Sequence, residues 1–455
     1  MEQKSLVNSL ISEKAFYMTV IILITGLPVV ELITEILFMF DESFIPSSIE
    51  PIVLAAFGVM GTLLTVLYLC VTISKNRKLR TADIFYFTLI FFMVISAVFS
   101  HDPGVYCGGD TNRCENPLHF LAYFWMFFAG SLIDTWKYRR NIILSFLGVS
   151  ILEGIFAFLQ TFNIELAFSY LYRADRSAYG LTQNSNYYGA LCVIFVAAIA
   201  GLYIFADQTV KSKAFRIALP AIAAFVFYTM LGSRARLAWV GFAALVIFYV
   251  ISLIVMIRKS KDKAEIKPAV KRSLIILGVF TAVFLFAFFF TDYIREVAVR
   301  SYWEVANGKP EMMGSKRFYI WDMAVKSIPQ NWLTGVGLDN FQHVFLSSPD
   351  FSEDMYFKDK AHNEYLQILV TQGIPALINY LALLIFTCVG AVKNILNETS
   401  KEKRAVTWIL LGALIGYAAQ AFFNNSITYV VIYFWLIIGL LIPRTPFAFS
   451  KGDKK

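Results

Sequence analysis

Charge is what this chain has least of. Only 16% of its 455 residues are Asp, Glu, Lys or Arg, where a soluble domain carries about a quarter. That shortage excludes an ordinary soluble globular protein. Histidine and cysteine are also sparse, at four and five residues. Several enzyme motifs are missing. There is no Gly-x-x-x-x-Gly-Lys-Ser/Thr loop to cradle phosphates, no His-Glu-x-x-His and no Cys-x-x-Cys. No Asp-x-Asp is present to hold a metal-bound nucleotide sugar. Gly335-x-Gly337 lacks a third glycine and a preceding strand, so it is not a dinucleotide fingerprint.

In place of charge there are long apolar runs. Hydrophobic residues make up 58% of the chain, and runs such as Ser273–Phe290 show no periodic polar face. As helix, at ~1.5 Å per residue, such a run crosses most of the ~30 Å hydrocarbon layer. The pattern predicts an all-α polytopic membrane protein of about twelve spans. These lie near 16–40, 52–74, 84–100, 117–135, 141–162, 187–206, 216–231, 238–257, 273–291, 373–391, 405–424 and 427–443. The first run has no small-residue cleavage site after it and reads as a retained helix.

The net charge of +8 does not point to nucleic acid, because the basic residues sit between apolar runs. There they set topology. Loop 258–272 holds seven Lys or Arg and loop 75–80 holds four. Loops 101–116, 163–186 and 232–237 hold one or two each. Both termini are therefore expected in the cytoplasm. The expected layout is a cytoplasmic N-terminus 1–15, spans one to nine over 16–291 and a large outer segment 292–361. An amphipathic start with spans ten to twelve follows over 362–443, then a cytoplasmic tail 444–455. No internal repeat is visible. The basic stretch 258–272 has a topological explanation, with anionic headgroups as neighbours. Cys107 and Cys114 share an outer loop and are either a disulfide or two free thiols. Cys70, Cys192 and Cys388 read as packing residues.

An outer segment as long as 292–361 is uncommon without a function. Within it, Ser315–Asn331 reads as a helix. Phe318, Trp321, Ala324 and Val325 recur at helical spacing, and Pro329 ends the pattern. Gly335-Val336-Gly337 reads as a turn. A further helix starts around 359–366, with Asp359 as candidate N-cap. The outer side also gathers arginines: Arg234 and Arg236 between spans seven and eight, Arg317 at the helix start, and Arg173 and Arg176 before span six. A guanidinium binds phosphate oxygens bidentately and stays charged beside a membrane. Converging arginines suit a lipid-linked pyrophosphate, while each alone also fits an interfacial anchor. His362 is either structural or a general base, since a helix N-terminus disfavours imidazolium. Glu364 and Asp322 are the alternative bases. Glu31, Glu35 and Glu153 fall in or near spans, where carboxylates are costly and face a polar interior. An early end to span one would instead leave Glu31 and Glu35 near the outer surface.

The order of these motifs resembles the O-antigen ligase and polymerase family. Gly232-Ser233-Arg234 comes first. Arg317, Trp321, Pro329, Gly335, Gly337 and Phe341 follow, then His362-Asn363, Leu366 and Gly373. The earlier Gly180-Leu-Thr-Gln-Asn184-Ser-Asn186 also looks like that family's segment before a span. The resemblance covers about residues 170–390. It implies a metal-independent, inverting glycosyltransferase of GT-C type that needs no cofactor. Its donor would be an oligosaccharide on undecaprenyl pyrophosphate, and its acceptor a hydroxyl of a glycan or lipid-linked glycan outside the cytoplasmic membrane. By that analogy Arg234 and Arg317 hold the pyrophosphate and His362 orients or deprotonates the acceptor. Arg236 offers a second phosphate contact, with Asn363, Trp321 and Asn186 in support. Polymerase and ligase differ only in acceptor. The sequence gives no sign of a protein acceptor and leans to polymerase. Two other classes compete. A secondary transporter or flippase suits twelve spans, but the paired repeats common in such folds are not visible. A non-enzymatic scaffold leaves the outer arginines without a task.

Overall fold

A computed structural model describes residues 8–40, 49–74, 78–102, 116–164, 177–259, 263–306, 314–346, 359–425 and 428–444. Every regular element among them is helical. The major helices are α1 (Glu13–Phe40), α2 (Ile49–Ile73), α3 (Thr81–Val98), α4 (Pro117–Leu132), α5 (Trp136–Gln160), α6 (Ser185–Ile204) and α7 (Lys213–Gly232). They continue as α8 (Arg236–Lys259), α9 (Lys263–Phe290), α10 (Tyr293–Ala306), α11 (Arg317–Asn331), α12 (Glu364–Asn397), α13 (Lys401–Gln420) and α14 (Thr428–Leu441). The protein is an all-α polytopic membrane protein. Among the described residues, ten helices are long and apolar enough to cross a membrane. The shorter apolar helices α4 and α14 stand where spans four and twelve were expected.

Polar side chains set several starts. Asn116 accepts from Leu118 N and precedes Pro117 at the first turn of α4. Asn184 caps α6, Ser212 caps α7 and Ser400 caps α13. Each supplies an acceptor to N–H groups that have no partner within the helix. Helices α6, α13 and α14 are mostly buried, while α8 and α9 present most of their surface outward. Small residues bring α4 and α14 close. A Cβ on Gly130 would sit 2.8 Å from Leu436 O, and one on Gly439 would overlap Phe127 O. Close backbone approach of this kind favours helix association where no water drives it.

Helix α12 is two helices joined at Gly373, which has φ 87° and ψ 171°. The break separates the amphipathic start 364–372 from the span proper. Gly335-Val336-Gly337 docks against it. Val336 N donates to Val370 O at 2.8 Å, Gly337 N to Thr371 O at 3.1 Å, and Ile374 N to Trp332 O at 2.7 Å. From the other side, Ser96 Oγ donates to Thr371 O at 2.7 Å. Side chains on Gly335 or Gly373 would overlap Thr371 or Leu333 backbone.

Two expectations are corrected. The N-cap of α12 is Asn363, whose Oδ1 accepts from Leu366 N at 3.1 Å, and not Asp359. Helix α11 forms as expected, but its buried face is Ile320, Met323 and Ala324, with Trp321 partly buried. Phe318 and Val325 point outward, and Pro329 lies inside the last turn. Cys107, Cys114, Arg173 and Arg176 lie outside the described residues, as does the side chain of Glu35.

The carboxylates at span depth have structural partners. Helix α1 continues past Glu31, which is buried and accepts from Gln183 Nε2 at 2.5 Å and Tyr429 OH at 3.4 Å. Glu153, also buried, accepts from Leu181 N at 2.8 Å. Gln160 accepts from the backbone N–H groups of Tyr179 and Gly180. These side chains satisfy a non-helical stretch, 177–183, that has no backbone ladder to join.

Candidate functional site

The site is built around α10, a helix that sequence reasoning missed. Tyr293, Ile294 and Val297 pack inward. Glu296, Arg300 and Glu304 recur every four residues, so they share one face.

Arg234 reaches this face from the α7–α8 connection. Ser233 Oγ donates to Met230 O at 2.6 Å and closes the end of α7. Arg234 itself takes φ 54°, a left-handed conformation uncommon for a side chain of its size. That turn sends its guanidinium to Glu296 and over the Tyr293 ring, 5.5 Å from the centroid. The Arg234 side chain is 10% exposed and that of Glu296 53%. Arg234, Arg295 and Arg300 line a cavity of about 370 Å³ together with Glu296, Val297 and Val299. Of these guanidiniums, Arg234 pairs with Glu296 and Arg295 pairs with Asp292 at 2.9 Å.

Arg236 is fully engaged. Its two terminal nitrogens donate to Glu304 at 2.8 and 2.7 Å, and further to Ser315 Oγ at 2.8 Å and Ser301 Oγ at 3.3 Å. The hydrogen bonds from Arg236 hold the Glu304 carboxyl below the usual carboxylate range. Arg317 begins α11 beside this pair. Among the described residues it makes no ion pair or side-chain hydrogen bond. Burial, and then the nearby charges of Arg236 and Arg300, bring its guanidinium down to about 10. Glu304 acts in the opposite direction.

One turn further along α11, Trp321 Nε1 donates to Ala361 O at 2.9 Å. Ala361 immediately precedes His362, and its N–H donates to Gln367 Oε1 at 2.8 Å. Phe422 and Phe423 pack on the Trp321 ring at 5.7 and 6.0 Å. The arginine group and the backbone before His362 are thus held by neighbouring turns of one helix. His362 has φ 51° and lies one residue before the α12 N-cap. Its Nδ1 is 3.3 Å from Asn425 Nδ2. Lys360 and Asp339 form a buried ion pair at 2.7 Å, which pins the same approach to the loop after Gly337.

The other candidate bases face elsewhere. Glu364 is buried and accepts from the hydroxyls of Tyr380 and Tyr417. Asp322 pairs with Lys326 at 2.7 Å on an exposed surface. Asn363 serves as the cap described above. Asn186 lies in the first turn of α6, its N–H donating to Asn184 Oδ1 at 2.9 Å. Among the described residues no three His, Cys, Asp or Glu side chains form a group that could hold a metal. The sequence did carry a signal for α10, in charges at i, i+4 and i+8 beside inward apolar residues. Nothing in the sequence singled out Asn425, which comes from the far end of the chain.

Residues 221–381 match the family model described as O-antigen ligase. That stretch, about a third of the chain, is similar to an O-antigen ligase domain. The matched span begins within α7 and ends within α12. It holds Arg234, Arg236, α10, Arg317, Trp321 and His362, and so nearly the whole site. Asn186 and Asn425 fall outside it. No curated protein matches the chain.

Proposed function

We propose that this O-antigen ligase-type protein transfers a glycan from undecaprenyl pyrophosphate to an acceptor hydroxyl at the outer face of the cytoplasmic membrane. It acts as a surface-polysaccharide polymerase or an O-antigen ligase, with both termini in the cytoplasm. The observation that carries this reading is Arg317, a half-buried guanidinium beside two other arginines with no counter-charge of its own among the described residues. Placing like charges together is unfavourable without an anion to share. A pyrophosphate supplies that anion. Arg234 joins it by exchanging the half-exposed Glu296 for a phosphate oxygen. Arg300 extends the same positive wall. Arg236, already held by Glu304, positions Ser315 and hence the start of α11.

The acceptor oxygen attacks the anomeric carbon as the bond from that carbon to the pyrophosphate oxygen breaks. The electron pair leaves with the pyrophosphate, whose charge the arginines balance. The acceptor proton passes to His362. Inversion follows from in-line displacement. Positioning and charge stabilisation carry most of the rate. His362 is partly exposed, which favours it over Glu364, buried under two tyrosines, and over Asp322, paired to a lysine.

The test is a set of alanine variants assayed for lipid-linked glycan transfer in membranes. Arg317→Ala and Arg234→Ala are each expected to lower transfer by about 10²-fold or more. His362→Ala is expected to lower it by about 10²-fold with donor binding retained. Full transfer by His362→Ala removes it as the base. Full transfer by all three overturns the site. Movement of lipid-linked glycan across liposomes without any new glycosidic bond favours a transporter instead.

A further inference from the structure

At the opposite end of α7 from Arg234 lies a second basic group. Arg216 Nη1 and Arg272 Nη2 both donate to one oxygen of Asp207, each at 2.8 Å. Two cations on one carboxylate leave a net positive charge. Lys211, Lys213, Lys267 and Lys271 stand exposed on the same segments. Helix α7 is 20 residues long, about 30 Å at ~1.5 Å per residue. This group is therefore a membrane thickness away from the arginines of the candidate active site.

Directly beside it, α6, α8 and α9 part to leave a cavity of about 260 Å³. Its lining starts at Ile204 and Ser273, the latter next to Arg272. It runs along α8 through Leu253, Val250 and Val246. The far end is closed by Phe242 and Phe280, which pack on Phe227 with ring centroids 4.5 and 4.8 Å away and 5.3 Å from each other. The side toward the lipid is open, since Leu274, Leu277 and Val250 keep exposed surface. Of its few polar side chains, Ser273 donates to Ala269 O and Tyr249 to Ala197 O, so neither seeks a ligand. An ordinary lipid-facing groove has neither a closed aromatic end nor a cationic mouth.

We propose that this cavity is a binding site for one acidic phospholipid from the surrounding bilayer, with its phosphate on Arg216 and Arg272 and an acyl chain between α6, α8 and α9. Charge complementarity selects the headgroup. Both arginines already converge on one anionic oxygen and keep further donors for a second. The depth of the cavity selects a chain rather than a helix of another copy. The site is separate from the proposed transfer reaction, and either stands without the other.

Native mass spectrometry of the full chain in neutral detergent tests it, with phosphatidylglycerol and phosphatidylcholine of matched chains as probes. Wild type is expected to retain phosphatidylglycerol about fivefold over phosphatidylcholine. Arg216→Gln with Arg272→Gln is expected to cut that preference to less than about twofold. Asp207→Asn keeps both guanidiniums and removes their competitor, so it is expected to raise the preference. Val246→Trp fills the cavity and is expected to lose both lipids. Equal retention of the two lipids by wild type overturns the proposal. So does an undiminished lipid load in Val246→Trp, or an unchanged preference in both charge variants. Retention of undecaprenyl phosphate but not phosphatidylglycerol overturns the choice of occupant.

Discussion

At the scale of single residues, the site depends on which arginines are already satisfied. Arg236 gives its donors to Glu304, Ser301 and Ser315, while Arg317 has no such partners among the described residues. These residues are alike in sequence and differ only in their neighbours, so no reading of the chain alone separates them. On the proposed function, Trp321 is a residue away from the substrate that positions one meeting it. Its indole donates to the carbonyl just before His362. Trp321→Phe keeps the ring against Phe422 and Phe423 but leaves that carbonyl without its donor. One such bond has a net worth of about 1 kcal/mol, and a small displacement of a base can cost far more in rate. Transfer is expected to fall about tenfold with only a small change in melting temperature. An unchanged rate would show that the approach to His362 is fixed by the Lys360–Asp339 pair instead.

At the scale of elements, the kink at Gly373 is the joint against which Gly335-Val336-Gly337 docks. Its φ and ψ lie in a region open only to glycine, and its neighbours leave no room for a Cβ. Gly373→Ala is therefore expected to destabilise the fold by about 1–3 kcal/mol from backbone strain, with further loss from steric overlap. Thermal unfolding in detergent measures it. Wild-type stability in that variant would mean that the joint relaxes freely. The same elements show what the sequence could and could not reveal. Long apolar runs located the spans, because no other arrangement hides that much hydrocarbon. The Ser315–Asn331 periodicity identified a helix but not its inner face, since Phe318 and Val325 are as apolar as the buried Ile320 and Met323. The helix at 359–366 was visible, yet its cap was misplaced by four residues because Asp359 and Asn363 are equally good capping types. Helix α10 went unseen because its charges resemble a solvated stretch until Arg234 and Arg236 are brought against it from another loop.

At the scale of the molecule, the two ends of α7 carry different charge groups. The Arg234 end meets Glu296, Arg295 and Arg300, and the Arg216 end meets Asp207 and Arg272. On the proposed topology, the basic loops around Arg216 and Arg272 put that end in the cytoplasm. Cysteines introduced at exposed positions test the arrangement in a variant whose five native cysteines are replaced. Ser315→Cys is expected to react with a membrane-impermeant maleimide in intact cells, and Lys213→Cys only after permeabilisation. The reverse pattern would invert the topology and move the proposed chemistry to the cytoplasmic side.

An arginine with no ion-pair partner among the described residues has a kinetic consequence. On the proposed chemistry, the pyrophosphate that remains on its polyprenyl tail after transfer meets the same guanidiniums as the incoming donor. The spent carrier then competes with fresh donor for the resting enzyme. Turnover would be limited by how quickly that carrier slips sideways into the bilayer, rather than by making the glycosidic bond.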